Sequence, residues 1–89
     1  MEKKLDIKQA LRVFSKITEF GQKVGDEYRL GDLWASTDFD GYTVILRDQS
    51  VTLHIFFHNS HKFTFKRKIE LEQFMDRLIE LDRKEFARV

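Results

Sequence analysis

The stretch Val51-Thr52-Leu53-His54-Ile55-Phe56-Phe57 constrains this chain more than any other. Its odd positions Val51, Leu53, Ile55 and Phe57 are large and apolar, whereas Thr52, His54 and the following His58 are polar. Side chains of a strand alternate between faces, so the stretch reads as the central strand of a half-buried sheet. Such a strand needs neighbours on both sides and a cover over its apolar face.

The neighbours are legible on either side. From Glu27 the apolar period is 2: Tyr28-Arg29-Leu30 and Leu33-Trp34-Ala35 flank Gly31-Asp32, a pair suited to a type II′ hairpin. Asp40-Gly41 offers a type I′ turn into 42–47, Asp48-Gln49 links to the central strand, and Asn59-Ser60-His61 leads into 62–67. Proline is absent and every link is short, which predicts an antiparallel meander of four to five strands. Matching apolar faces predicts Leu46 opposite Val51, Val44 opposite Leu53, Phe57 opposite Phe63 and Ile55 opposite Phe65. Tyr42, Val44, Leu46, Val51, Leu53, Ile55, Phe57, Phe63 and Phe65 then share one face.

Two amphipathic helices supply the cover. Asp6 can cap the first, with Gln9 completing a variant capping box. Ile7, Ala10, Leu11, Phe14, Ile17, Phe20 and Val24 form its stripe, and Gly25 stands where a terminating glycine would. Gly21 falls inside that pattern, where a neighbouring element would come close. Lys8, Arg12 and Lys16 line what reads as a solvated side. After Lys68, Leu71, Phe74, Met75, Leu78 and Leu81 return to helical spacing, with Glu70 and Glu72 early and Arg83, Lys84 and Arg88 late, as the helix dipole favours. The expected fold class is therefore α+β and two-layered: N-terminal helix, meander, C-terminal helix, both helices on one sheet face. With 89 residues it is expected to be a single domain over 1–89.

Composition excludes more than it specifies. The absence of cysteine removes disulfides and thiolate–zinc staples and suits a reducing cytoplasm. The start has no apolar core of a secretory signal, and no apolar run exceeds three residues, so no membrane is expected. A net charge of +1 with 35% charged residues argues against bulk nucleic-acid condensation.

Few residues carry a chemical signature. His54, His58 and His61 invite a metal reading, but His54 and His58 lie about 13 Å apart along a strand and no third ligand accompanies His58 and His61. Ser36-Thr37-Asp38-Phe39-Asp40-Gly41 begins like a calcium loop, yet its twelfth position would be Arg47, where a bidentate glutamate is needed. No metal site and no cofactor are therefore expected. Catalysis would have to draw on Asp38, Asp40, His54 and His58, with no nucleophile motif, phosphate loop or concavity to serve it, so an enzyme is not expected. What remains is the outer sheet face. Trp34, Ile45 and Phe56 are large apolar groups there, rimmed by His54 and Arg47. Scattered cross-strand packing accounts for them as readily as a binding patch does. The expectation is a binding or adaptor module using this face for a protein partner or a homodimer. The alternative is nucleic-acid binding through Lys62, Lys66, Arg67 and Lys68 at the end of the last strand. The helix–meander–helix order resembles the double-stranded-RNA-binding domain in outline, but Ile69-Glu70-Leu71-Glu72 is acidic where that family is alanine-rich and led by lysine.

The segment Ala35-Ser36-Thr37-Asp38-Phe39-Asp40-Gly41-Tyr42-Thr43-Val44, followed by Leu53-His54-Ile55-Phe56-Phe57-His58-Asn59, resembles a family of short uncharacterised bacterial proteins. The resemblance runs from about Leu5 to Arg83. It implies a bacterial, cytoplasmic, stand-alone protein and transfers no functional residue.

Overall fold

Two helices on one face of a six-stranded antiparallel sheet make up the fold. The computed structural model describes residues 5–39, 41–56 and 60–85. The elements are α1 (Ile7–Phe20), β1 (Gln22–Val24), β2 (Glu27–Leu30), β3 (Leu33–Thr37), β4 (Val44–Arg47), β5 (Thr52–Ile55), β6 (His61–Thr64) and α2 (Lys68–Arg83). The strands lie in sequence order, each antiparallel to the next, so the architecture is the expected α+β meander between helices with six strands rather than four to five.

The extra strand comes from the end of the first helix. Asp6 caps α1 by accepting the backbone N–H groups of Lys8 and Gln9 at 3.0 and 3.3 Å. The capping box is incomplete, because the Gln9 side chain reaches Asp82 instead. The helix stops at Phe20 rather than at Gly25. At Gly21 the chain turns so tightly that a Cβ would meet the carbonyl oxygens of Ile17 at 2.4 Å and Arg29 at 2.6 Å. Only a glycine admits β2 that close to the helix end. Gly25, at φ 62°, turns the chain between Val24 and Glu27, and Gly31, at φ 63°, does the same between Leu30 and Leu33. Val24 therefore lies in an exposed strand, not on the helix stripe.

Parity came out as expected, whereas register did not. Leu46 faces Leu53, and Val44 faces Ile55, two residues from the expected pairing. Leu53 faces Phe63, and Ile55 faces His61, a shift of four. The links are longer than two- or three-residue turns. Asp48 N–H donates to Val51 O at 3.0 Å across a four-residue turn, and Phe56 N–H donates to Ser60 O at 2.8 Å. Between β3 and β4, Asp38 N–H reaches Thr43 O at 2.9 Å, so the expected two-residue turn at Asp40-Gly41 is a six-residue link; Asp40 itself lies outside the described residues. An even shift preserves which face each side chain takes. It also pushes Tyr42 and Phe65 past the strand ends, leaving them exposed rather than in the core. Thr43, which alternation with Tyr42 and Val44 would turn outward, is buried within the link. Phe57 and His58 lie outside the described residues.

The core fills the space between sheet and helices. Ala10, Val13 and Ile17 of α1 and Phe74, Leu78 and Leu81 of α2 pack on Ala35, Leu46, Leu53 and Ile55. Phe74 meets Phe63 edge to face, with centroids 6.3 Å apart. The buried centre of α1 is Val13, while Leu11 is exposed. The row read as solvated is partly engaged: Arg12 pairs with Asp82, and Lys16 Nζ donates to the carbonyls of Leu81, Asp82 and Lys84. They lie at the α2 terminus, where backbone carbonyls lack helical partners and suit a lysine ammonium; Leu81 O also takes the N–H of Lys84. No described helix is long and apolar enough to cross a membrane.

Candidate binding face

Both helices sit on the face of Ala35, Leu46 and Leu53, so the opposite face of the sheet carries no cover from either. Two cross-strand rows form it. One runs Gln22, Arg29, Trp34, Arg47, Thr52, Thr64; the next runs Val24, Glu27, Ser36, Ile45, His54, Lys62. All five expected residues fall together here. Trp34 is directly opposite Arg47, Ile45 is directly opposite His54, and Phe56 lies two residues beyond His54.

The electrostatics of the patch centre on Trp34. Arg29 on β2 and Arg47 on β4 place their guanidinium carbons 5.3 and 4.6 Å from the indole centroid, one from each neighbouring strand. Arg47 is fixed in turn by Glu27, with Nε and Nη2 donating to the two carboxylate oxygens at 2.8 and 2.6 Å. That fork geometry holds Glu27 below the usual carboxylate range and Arg47 above its ordinary value, each through the hydrogen bond to the other. Arg29 donates Nε to Gly31 O at 3.1 Å. The result is a tryptophan locked between cations, themselves locked by neighbours.

At the other end of the patch His54 stacks on Phe56, with centroids 6.1 Å apart and planes 9° from parallel. His54 Nδ1 is shut off from solvent without a hydrogen-bond partner. Phe56 is 39% exposed, and Phe39 and Tyr42 of the β3–β4 link are more exposed still. The histidines separate: His54 is on the open face with Lys62, while His61 shares the opposite face with Phe63. Among the described residues no group of three metal-ligating side chains occurs.

The basic residues at the strand end are not one cluster. Lys62 lies on the open face opposite His54, whereas Lys66, Arg67 and Lys68 follow β6 into α2. Arg67 Nε is tied to Glu70 at 3.2 Å, which lowers the Glu70 carboxyl, with a Ser50 hydrogen bond adding to it. Two cavities of about 220 and 160 Å³ lie where the β2–β3 and β4–β5 turns meet α2, and neither is lined by His54.

Some structurally decisive residues carry little signal in the sequence. Asp48 is buried, and its Oδ1 accepts the N–H groups of Ser50 and Val51, each at 2.8 Å, while Oδ2 takes Arg77 at 2.5 Å. An aspartate directly after one strand and four residues before the next is the available signal for such a turn. Glu27 carried no signal, because its partner stands twenty residues away.

The model of one protein family, described as a protein of unknown function (DUF3081), matches residues 5–87. The chain belongs to that family. The match spans both helices and all six strands of this DUF3081 protein, so the open face lies wholly inside the family unit. No curated protein and no solved structure matches this chain.

Proposed function

We propose that this DUF3081 protein is a non-catalytic binding or adaptor module that engages a protein partner, or a second copy of itself, through the open sheet face around Trp34, Ile45, Arg47, His54 and Phe56. The supporting observation is the fixed arrangement of Arg29, Trp34, Arg47 and Glu27 on a face that neither helix covers. Tryptophan and arginine held in one orientation lose little freedom on binding, and these two types are enriched among residues that dominate interface energies. A reducing bacterial cytoplasm is the setting this proposal assigns, on the lack of cysteine.

Nucleic-acid binding through Lys62, Lys66, Arg67 and Lys68 is the second reading. It is favoured by the exposure of all four, and disfavoured by the arginines occupying both flanks of Trp34, where a base would stack. Light scattering over a concentration series, on the native protein and on Phe56→Asp, separates the first reading's branches. Association that Phe56→Asp abolishes supports self-pairing; a monomer indifferent to the change removes it. An RNA or DNA titration that moves no amide resonance removes the nucleic-acid reading.

A further inference from the structure

Resting on the reading of the open face as a docking surface, we infer that its occupant is an acidic segment of another protein rather than a second copy of this chain. The first argument is charge. Among the strand residues of this face the charged side chains are Arg29, Arg47, Lys62 and Glu27. Glu27 is consumed by its bidentate pair with Arg47. That leaves Arg29, which donates to the backbone carbonyl of Gly31, and Lys62, across from His54, both without a carboxylate partner among the described residues. Just beyond the strands, Asp38 follows β3 and Lys66 follows β6, one charge of each sign. Two such faces brought together would set uncompensated cations against uncompensated cations, whereas carboxylates from a partner would be drawn in.

The second argument is area. Six strands about 4.8 Å apart and four residues long give a footprint of about 24 by 13 Å, or roughly 300 Å². A stable dimer commonly covers about 800 Å² on each partner. Taken over the strands alone, the face is smaller than such a dimer patch, and one extended segment matches its size. An extended chain of about seven residues crosses it from edge to edge. Apolar residues of that segment would meet Trp34, Ile45 and Phe56, and its carboxylates would meet Arg29 and Lys62.

The test uses three extended peptides of equal length in which valine alternates with glutamate, glutamine or lysine, together with a single-stranded oligothymidylate of matching charge. Amide shifts and the emission of Trp34, the only tryptophan, report binding at low and high salt. The glutamate peptide is expected to shift the two open-face rows, to bind about tenfold more tightly than the glutamine peptide, and to weaken with salt. Arg29→Glu with Lys62→Glu is expected to abolish that preference; Arg29→Gln with Lys62→Gln serves as the milder pair if reversal disturbs the fold. Equal binding of the glutamine or lysine peptide would overturn the acidic assignment while leaving the face as a docking surface. Preferential binding of the oligothymidylate would overturn it in favour of nucleic acid. If none of the probes moves the face rows, both the assignment and the docking reading fall.

Discussion

Asp82 is the point where the two helices are fastened, and its removal makes a sharp test of that fastening. Its carboxylate accepts Arg12 Nε at 2.8 Å, Arg12 Nη2 at 3.0 Å and Gln9 Nε2 at 3.1 Å. The Arg12 hydrogen bond, helped by Gln9, draws the Asp82 carboxyl from 3.8 down to about 2. A folded-state value below the unfolded one means stability that is present above about pH 4 and lost as pH falls through 2. Unscreened, the depression would be worth about 2.4 kcal/mol at ~1.36 kcal/mol for each pH unit. The Arg12 side chain is 56% exposed, so solvent screening reduces this to about 1 kcal/mol. Asp82→Asn keeps the shape and loses the charge. Urea unfolding at pH 6 should show the variant less stable by about 1 kcal/mol, and thermal unfolding a midpoint lower by about 4–8 °C. At pH 2.5 the gap should shrink to about a third or less. A gap that stays constant between pH 6 and pH 2.5 would show that the loss comes from packing, and the argument from charge would fail.

Gly21→Ala must displace the backbone of either α1 or β2 and should cost about 2–3 kcal/mol in urea unfolding, against about 1 kcal/mol for Gly25→Ala, whose Cβ meets nothing. Asp48→Ala strands two backbone N–H groups and Arg77 and should cost about 2–4 kcal/mol, whereas Asp48→Asn keeps an Oδ1 acceptor for the turn and should recover at least half. Glu27→Gln releases Arg47 from its fork; stability should fall by less than about 1 kcal/mol, while Trp34 emission changes and becomes more accessible to a neutral quencher. Unchanged emission would mean that Glu27 does not hold the stack.

What could be read from the residues follows a physical boundary. Parity belongs to single strands, because Leu53 and Ile55 carry their apolar alternation in their own sequence. Register belongs to pairs of strands and is set by the links, which depend on local hydrogen bonds such as Asp48 Oδ1 with Ser50 and Val51. Apolar matching cannot distinguish registers differing by two or four, since each leaves every side chain on its own face. β1 was invisible for a related reason: Gln22, Lys23 and Val24 are all exposed and show no pattern. The signal that locates it is repetition, because Gly25-Asp26 recurs as Gly31-Asp32 and both make the same two-residue link. The patch residues Trp34, Ile45, Arg47, His54 and Phe56 were found by parity alone. Parity turns Arg29 to that face as well, but its contact with Trp34 and the grip of Glu27 on Arg47 required knowing which strands are neighbours.

Lys62 has a second consequence, independent of any partner, because it occupies an edge. A sheet of this kind exposes unpaired backbone groups along β1 and β6. β1 is three residues long and offers little to pair with. β6 is His61-Lys62-Phe63-Thr64, followed by Phe65, and Lys62 is the one lysine, arginine or carboxylate residue in it. Lys62→Val would turn the edge into an uninterrupted β-prone run with exposed apolar side chains, a template for a second chain. That variant should remain folded yet associate with rising concentration, seen as growing scattering and thioflavin emission. Lys23→Val on the shorter edge should stay as dispersed as the native chain. Lys62→Gln removes the charge from the open face while keeping the edge polar, and is expected to weaken acidic-peptide binding with little association. A Lys62→Val protein as monomeric as the native one at the same concentration would show that the lysine does not guard the edge.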